Sequence, residues 1–228
     1  MADPLSCIIK ERKAIEMPTE EEIFEALDER HTEEIRRKLW DSRVDIAGLG
    51  GLGSNIAVML ARAGVGHLHL VDFDVIDLTN INRQYYFIRQ LGMPKTEAIS
   101  EILHDINPYI DIKTENVKIT PENYSKIFGG AMILVEAFDS AANKAMLVNA
   151  AMEQTPETKI VSGVGLAGYM DSNLIRTRKI SDNFILCGDG VNGLESGHHL
   201  MAPRVSICAG HQANAVLQLL IEGGKNIR

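Results

Sequence analysis

The chain has 228 residues, of which 45% are hydrophobic, and a chain of this length buries about 70% of the surface that it exposes when unfolded. One well-buried domain is therefore expected. The formal net charge of −8 disfavours nucleic acid and anionic lipid as partners. No apolar run approaches the roughly 18 residues of a membrane span. The charged first residues do not resemble a secretory signal, so a cytoplasmic protein is expected.

The cysteines indicate neither a disulfide framework nor a structural zinc site. Cys7, Cys187 and Cys208 lie far apart, are odd in number and form no CxxC pair. Structural zinc in proteins is held by a full set of ligands that commonly comes from such pairs. No structural zinc and no disulfide are therefore expected.

Strands and helices alternate along the chain after a charged prefix. Residues 1–43 are predicted to be a helical N-terminal prefix, with a capping box at Thr19 to Glu22, and residues 44–228 to be the main domain. The predicted strands are 44–47, 67–71, 111–119, 132–135, 159–162 and a strand pair within 169–186. The predicted helices are 56–63, 96–106, a short one after Pro121, 141–154 and 203–222. This order predicts a Rossmann-like α/β fold, a mostly parallel sheet with helices on both faces.

A glycine-rich stretch, GLGGLGSN, follows the first predicted strand and opens a helix. Gly48, Gly50 and Gly53 match the G-x-G-x-x-G pattern, and Asp72 ends the next strand nineteen residues past Gly53. Backbone N–H groups at such a helix start bind phosphate, and the acidic residue binds ribose hydroxyls. Alone, this pattern favours a dinucleotide oxidoreductase, or a packing turn of small residues. The absence of a following Walker lysine excludes a P-loop NTPase.

The stretch after Asp72, VDFDVIDLTNINRQ, adds polar and basic side chains just beyond the predicted sheet edge. It contains Asn80, Arg83 and Gln84, and Lys95 begins the next helix. A guanidinium with amide neighbours suits a polyphosphate, because arginine presents a planar fork of donors to phosphate oxygens. The plain alternative for Arg83 is an ion pair at the surface.

An acidic residue, Asp139, follows the buried strand at 132–135. In an open parallel sheet the carboxyl ends of the strands form the ligand-binding edge, so Asp139 is a candidate for holding Mg²⁺ on a triphosphate. The alternative is that Asp139 and Ser140 cap the following helix.

These motifs together resemble one family. GLGGLGS, the DFD run ending in NxNRQ, the GxPK lysine and the aspartate of EAFDS resemble the ThiF, MoeB and HesA group, which adenylates the C-terminus of ubiquitin-like proteins. The resemblance extends from about Arg43 to Gly224. The prefix PTEEEIFEALDERHTEEIRRKL and the run CGDG are similar to the short ThiF branch, the sulfur carrier protein ThiS adenylyltransferases of thiamine biosynthesis.

The resemblance implies a ThiF-type nucleotide-binding adenylation domain at residues 44–228 that uses ATP and Mg²⁺. The carboxylate of a small β-grasp sulfur carrier ending in Gly-Gly would attack the α-phosphate, and the protein would be a homodimer. Arg83, Lys95 and Asp139 would be catalytic, with Asp139 on Mg²⁺. The nucleotide-binding residues would be Gly48, Gly50, Gly51, Gly53, Asp72, Asp74, Asn80, Arg83, Gln84 and Lys95. ThiS is the expected carrier; the molybdopterin-synthase carrier, an NAD-dependent oxidoreductase and a non-catalytic binding module are the alternatives.

The chain departs from the family pattern at several positions. The two zinc-binding CxxC pairs of many relatives are missing, and the position where some relatives carry a reactive thiol holds Glu195. Cys187 is expected to be structural, with a covalent role as the alternative. Arg30, Arg36 and Arg37 are expected on a solvated helix face. His198 and His199 are expected to be loop residues.

Overall fold

A computed structural model describes residues 16–193 and 199–227 of the chain. Cys7, Glu195 and His198, which the sequence analysis singles out, lie outside the described residues. No helix in the described part is both long enough and apolar enough to cross a membrane.

The described residues form an alternating series of helices and strands. The helices are α1 (Glu20–Asp28), α2 (Glu33–Trp40), α3 (Gly51–Ala63), α4 (Lys95–Ile106), α5 (Tyr124–Phe128), α6 (Ala141–Gln154) and α7 (Ala202–Glu222). The strands are β1 (Arg43–Ala47), β2 (His67–Asp72), β3 (Asp111–Asn116), β4 (Ile133–Glu136), β5 (Lys159–Gly163), β6 (Arg176–Ser181) and β7 (Phe184–Gly188). The predicted helix at 141–154 is confirmed without change, and the other predicted helices differ in their start or end.

The strands form one sheet in the order β3-β2-β1-β4-β5-β7-β6, in which only β6 is antiparallel to its neighbour. From β1 the chain first builds outward through β2 and β3, and then returns to place β4 on the other side of β1. The carboxyl ends of β1 and β4 therefore flank the topological switch point, where open α/β sheets bind ligands. The predicted mostly parallel sheet is confirmed.

Helices cover both faces of the sheet, because alternate side chains of each strand point to opposite sides. One face packs against α3, α4 and α7 through residues such as Val44 and Ile46. The other face packs against α5 and α6 through residues such as Ala47 and Leu134. The loops at the carboxyl ends of the strands therefore start from strands that are anchored by an apolar layer on each face of the sheet.

The polar interruption of β1 at Asp45 is a buried ionic contact. Asp45 is fully buried, and its Oδ1 lies 2.6 Å from His69 Nδ1 and 2.7 Å from Arg43 Nη2. His69 Nε2 in turn lies 3.1 Å from Glu115 Oε1. These contacts run across three neighbouring strands, β1, β2 and β3, and tie their register together.

The prefix helices pack onto the domain and correct one expectation. The predicted capping box is confirmed, since Thr19 and Glu22 exchange side chain to backbone hydrogen bonds at the start of α1. The solvated position expected for Arg36 is wrong. Its guanidinium pairs with Asp28 at 2.7 Å and lies 4.4 Å from the centroid of the Phe24 ring, because the inward face of α2 meets α1. Arg30 and Arg37 are exposed as expected.

Several strand ends differ from the prediction by one or two residues, and two differ by more. The strand that was expected to reach Ile119 ends at Asn116, and the residues after it leave the sheet. The strand pair expected from Tyr169 begins only at Arg176. The residues before it are irregular because Asp171 caps a short 3₁₀ turn by accepting from Asn173 N–H.

Candidate nucleotide site

A cavity of about 380 Å³ lies along the carboxyl edge of the sheet, over the switch point between β1 and β4. Its walls come from the loops after β1, β2, β3, β4, β5 and β7 and from the first turns of α3 and α6. The cavity is of ordinary ligand-site size. Of the predicted site residues, it brings together Gly48, Gly50, Gly51, Asp72, Asp74, Arg83, Gln84, Lys95 and Asp139.

The glycine loop forms the floor of this cavity. Gly48 has φ +91°, a left-handed conformation that a side chain disfavours. Gly53 does not line the cavity; a Cβ there would lie 1.8 Å from Gly48 O, so its role is close packing of α3 against the loop. The N-cap residue of α3 is Gly50, and no side chain caps that helix. The free N–H groups and partial positive charge of its first turn are therefore available to an anion.

Asp72 fixes the glycine loop from the neighbouring strand. Its Oδ2 accepts from Leu49 N–H at 2.6 Å, and its Oδ1 accepts from Asp74 N–H at 2.8 Å. Tyr86 donates to Leu49 O at 2.8 Å from the other side, and burial together with the nearby Asp72 charge raises the pKa of Tyr86 well above its ordinary value. Asp72 thus organises the loop, and each carboxylate oxygen retains a lone pair for a ribose hydroxyl.

Arg83 supplies a guanidinium that no carboxylate neutralises within the described residues. Its Nη1 donates to Thr79 O and to Asn82 Oδ1, both at 2.9 Å, and its buried Nε has no partner there. The surface ion pair considered as the alternative for Arg83 is therefore not formed with any residue that the structure describes. Gln84 Oε1, also on the cavity wall, is buried without a partner in the same part of the chain. Such unused polar atoms fit a polar ligand.

Lys95 and Asp74 form a pair at the same wall. Lys95 Nζ lies 2.9 Å from Asp74 Oδ2, and the lysine side chain is 6% exposed while the aspartate side chain is 50% exposed. The buried lysine is therefore held in place by Asp74, which is itself half exposed to solvent. Lys95 therefore brings an ammonium group to the cavity, and the carboxylate of Asp74 balances its charge.

Asp139 is exposed and lines the cavity from the loop between β4 and α6. No hydrogen bond or ion pair engages its side chain within the described residues, and the N-cap of α6 is Ser140, which makes no side-chain capping bond. The helix-capping alternative is therefore not what the structure shows. A free carboxylate of this kind fits a hard cation such as Mg²⁺.

Asn80 does not line the cavity. Its Oδ1 accepts from Asp77 N–H at 3.0 Å, which closes a 3₁₀ turn at Leu78–Asn80. Asn80 therefore shapes the segment that carries Arg83. Its contact with a nucleotide stays a prediction.

The sequence analysis missed several cavity residues. Lys144 lines the wall from α6, and its Nζ lies 3.0 Å from Oε2 of Glu136, a fully buried residue that ends β4. Lys118 and the apolar side chains of Phe73, Ile119 and Met146 line the part of the cavity above β2 and β3. Lys144 is the fourth residue of α6, the helix that begins at the ligand-binding edge of the sheet, and that position was the available signal.

The far wall, above β5 and β7, is held by one buried ion pair. Arg204 Nη2 lies 2.6 Å from Asp189 Oδ2, and their side chains are 2% and 4% exposed. Arg204 Nη1 also donates to Met170 O and Asp171 O. Burial would raise the pKa of Asp189, but hydrogen bonds from Asn192, together with Arg204, lower it below its ordinary value. The described residues that line the cavity on this side carry no charge, and the ion pair behind them is matched.

Both described cysteines are core residues. Cys187 and Cys208 are fully buried, and burial raises the pKa of Cys187 to about 11 and that of Cys208 to about 12. The structural role expected for Cys187 agrees with this placement, since a protonated buried thiol is a poor nucleophile. No cluster of three or more acidic, histidine or cysteine side chains suited to a metal occurs among residues 16–193 and 199–227.

Comparison with known proteins places this chain in one family. Residues 24–227 match the ThiF family. A Haemophilus influenzae molybdopterin-synthase adenylyltransferase is 31% identical over 204 residues, which cover 84% of this chain and 80% of that protein. A Bacillus subtilis tRNA threonylcarbamoyladenosine dehydratase is 32% identical over 145 residues, which cover 63% of this chain and 56% of that protein. The chain thus matches little more than half the length of the second relative.

A solved structure shows the same fold. E. coli tRNA N6-threonylcarbamoyladenosine dehydratase, in its complex with AMP, aligns with a TM-score of 0.78 at 21% identity and covers 88% of this chain and 94% of that chain. The open sheet with a glycine loop at its switch point defines a Rossmann-like α/β protein. The chain belongs to the ThiF family, which confirms the resemblance found in its motifs and leaves the oxidoreductase alternative without support.

Proposed function

We propose that this protein is an ATP-dependent adenylyltransferase that activates the C-terminal Gly-Gly carboxylate of a ubiquitin-like sulfur carrier protein. The supporting observation is one cavity that joins the glycine loop, the guanidinium of Arg83 without a carboxylate partner and the free carboxylate of Asp139. Family membership and the relative named as an adenylyltransferase support the same chemistry.

The residues present fit ATP along the edge of the sheet. The apolar wall above β2 and β3, with Phe73 and Ile119, suits the adenine ring, and Asp72 suits the ribose. The glycine loop and the first turn of α3 meet the phosphates, beside Arg83 and Lys95. This order leaves the wall above β5 and β7 for the carrier's terminal glycines.

The reaction joins two anions, so positioning and charge neutralisation supply most of the catalysis. A carboxylate oxygen of the carrier forms a bond to the α-phosphorus, the bond from that phosphorus to the bridging oxygen breaks, and pyrophosphate leaves with the electron pair. No side-chain nucleophile is consumed. Arg83 would stabilise the charge on the reacting α-phosphate, and Lys95 would bind the phosphate next to it. Asp139 would hold Mg²⁺, which neutralises polyphosphate charge.

ThiS is the proposed carrier, in the thiazole branch of thiamine biosynthesis, and the molybdopterin-synthase carrier is the alternative supported by the Haemophilus relative. We also propose that the protein is a homodimer and is located in the cytoplasm. In each protomer, residues 1–43 would form a prefix and residues 44–228 the adenylation domain. Exposed apolar side chains at Leu78, Phe87 and Ile88 support a self-association surface. Light scattering of the purified protein measures the dimer directly.

A second candidate is activation of a carboxylate on tRNA. The Bacillus dehydratase and the solved E. coli structure favour it, because each is named for its action on threonylcarbamoyladenosine in tRNA. The net charge of −8 favours the protein carrier over this polyanionic substrate.

One experiment separates these candidates. The protein is incubated with MgATP and, in turn, ThiS, the molybdopterin-synthase carrier and tRNA, and mass spectrometry detects an AMP-linked carrier or a dehydrated nucleoside. We expect the AMP adduct on a Gly-Gly carrier, and no adduct on a carrier that lacks the last glycine. Adduct on neither carrier, or dehydration of tRNA alone, contradicts the proposed function.

A further inference from the structure

A second groove, of about 340 Å³, lies on the outer side of the far wall of the cavity. It is lined by Arg176 and Arg178 of β6, by Leu174 and by the loop at 188–192. Val191 and Asn192 line both the groove and the cavity. The groove is therefore continuous with the end of the cavity where the carrier's tail would enter.

The two arginines project from the same face of an edge strand. Side chains alternate along a strand, and Thr177, between them, contacts His211 of α7 at 2.9 Å. Arg176 and Arg178 therefore lie on the face opposite α7. In the sheet order β6 has β7 as its one neighbour, so the outer edge of β6 is open in the described structure.

Neither arginine side chain has an ion pair or hydrogen bond within residues 16–193 and 199–227. The Arg178 guanidinium lies close to the loop, since a Cβ added at Gly190 would be 3.1 Å from its Nη2. The one carboxylate on the groove wall, Asp189, is already neutralised by Arg204. The groove thus presents two positive charges on a chain whose net charge is −8.

Exposed apolar side chains lie beside these charges. Val191 is 77% exposed and Leu174 is 46% exposed. Arginine next to apolar side chains is typical of the centre of protein–protein interfaces.

We propose that the groove at Arg176 and Arg178, with Leu174 and Val191, docks an acidic face of the carrier protein next to its C-terminal tail. This inference rests on the proposed function. A folded carrier cannot enter a cavity of about 380 Å³, so only its extended tail reaches the phosphates and its body stays at the rim. Two unpaired guanidiniums at that rim bind carboxylates of the body through charge-assisted hydrogen bonds.

The test measures carrier binding separately from nucleotide binding. Fluorescently labelled ThiS and molybdopterin-synthase carrier are titrated with wild-type protein, with the double variant Arg176→Glu/Arg178→Glu, and with Lys179→Glu as the matched control. Lys179 is on the same strand but opposite face, where it pairs with Asp182. The double variant should bind the carrier at least about tenfold more weakly, with unchanged ATP affinity, while Lys179→Glu stays within about twofold. Salt should weaken wild-type binding more than binding by the double variant.

Each other outcome has a defined meaning. If wild type binds a carrier and the double variant binds it equally well, the groove proposal is overturned and the proposed function stands. If wild type binds neither carrier, the proposed function fails and the groove proposal falls with it. If the double variant loses affinity for bulk tRNA but not for a carrier, the groove is a nucleic-acid contact and the proposal is overturned.

Discussion

The two ends of the cavity are built from different kinds of contact. At the nucleotide end, the glycine loop is held by one carboxylate, Asp72, and the neighbouring Arg83 guanidinium lacks a carboxylate partner within the described residues. At the far end, Arg204 and Asp189 form a buried pair in which each charge is matched. The nucleotide end thus has charge available for a ligand, whereas the charges of the far end maintain its own shape.

This difference predicts which substitutions affect folding and which affect activity. Removing one member of a buried pair leaves the other charge in a low-dielectric site, which is costly. Removing a cation that is not part of such a pair leaves the fold intact but takes away a ligand contact. The following predictions run from the largest expected effect to the smallest.

The largest effect is expected from Asp189→Ala. The substitution leaves Arg204 buried without its partner and removes the bonds that hold the loop at Val191 and Asn192. We expect the free energy of unfolding to fall by about 3–5 kcal/mol, measured by urea denaturation. Lys179→Ala, which breaks the exposed pair with Asp182, should change it by less than about 1 kcal/mol. Equal effects of the two substitutions would mean that the far wall is not clamped by the buried pair.

Arg83→Ala is expected to act on catalysis. Carrier-dependent exchange of labelled pyrophosphate into ATP should fall by about 10²–10³-fold, because a preorganised donor to the reacting phosphate is lost. The free energy of unfolding should change by less than about 1 kcal/mol.

Asp139→Ala should also fold and lose exchange, with partial recovery as the Mg²⁺ concentration is raised. Full exchange activity in both variants would contradict the site.

An alkaline loss of stability is expected from the buried thiol of Cys187. Its folded pKa, about 11, exceeds the ordinary value of 9.0, so ionisation favours the unfolded chain. The stability is complete below pH 9 and is lost as pH rises through 11, by on the order of 1 kcal/mol at pH 10. Denaturation at pH 8 and pH 10 should show a smaller difference for Cys187→Ala than for wild type. An unchanged difference would place the alkaline sensitivity elsewhere.

The smallest effect is expected from Cys187→Ala on the reaction. Pyrophosphate exchange should stay within about twofold of wild type, because the thiol of Cys187 on β7 is buried in the core and adenylation consumes no nucleophile. Alkylation of the folded wild-type protein at pH 8 should leave Cys187 unmodified. Complete loss of exchange in the variant would show that the thiol takes part in the chemistry.

The sequence predicts the nucleotide half of the fold well because its signals are local. GLGGLGSN, Asp72 and Lys95 lie within one continuous stretch, and the structure brings Gly48, Asp72 and Lys95 to the same cavity. The alternation of strands and helices also predicts the parallel sheet, since β1, β2 and β4 are each followed along the chain by a helix that packs against the strand.

The far half is not predictable in the same way. Arg204 meets Asp189 and the carbonyl of Met170, 15 and 34 residues away in sequence, and no pattern of spacing indicates these contacts. The segment that was expected to be a strand from Tyr169 is irregular, and Arg204 binds two of its carbonyls. Arg36 is similar, since its burial depends on how α1 and α2 meet. Non-local packing overrides local propensity at these positions.

A crystal structure of the protein with MgATP tests the central claim most directly. We predict that the triphosphate lies against the glycine loop and the first turn of α3, with phosphate oxygens within hydrogen-bonding distance of Arg83 and the metal ion on Asp139. A triphosphate bound away from Arg83, Lys95 and Asp139, for example against the wall above β5 and β7, would contradict both the site and the proposed enzyme.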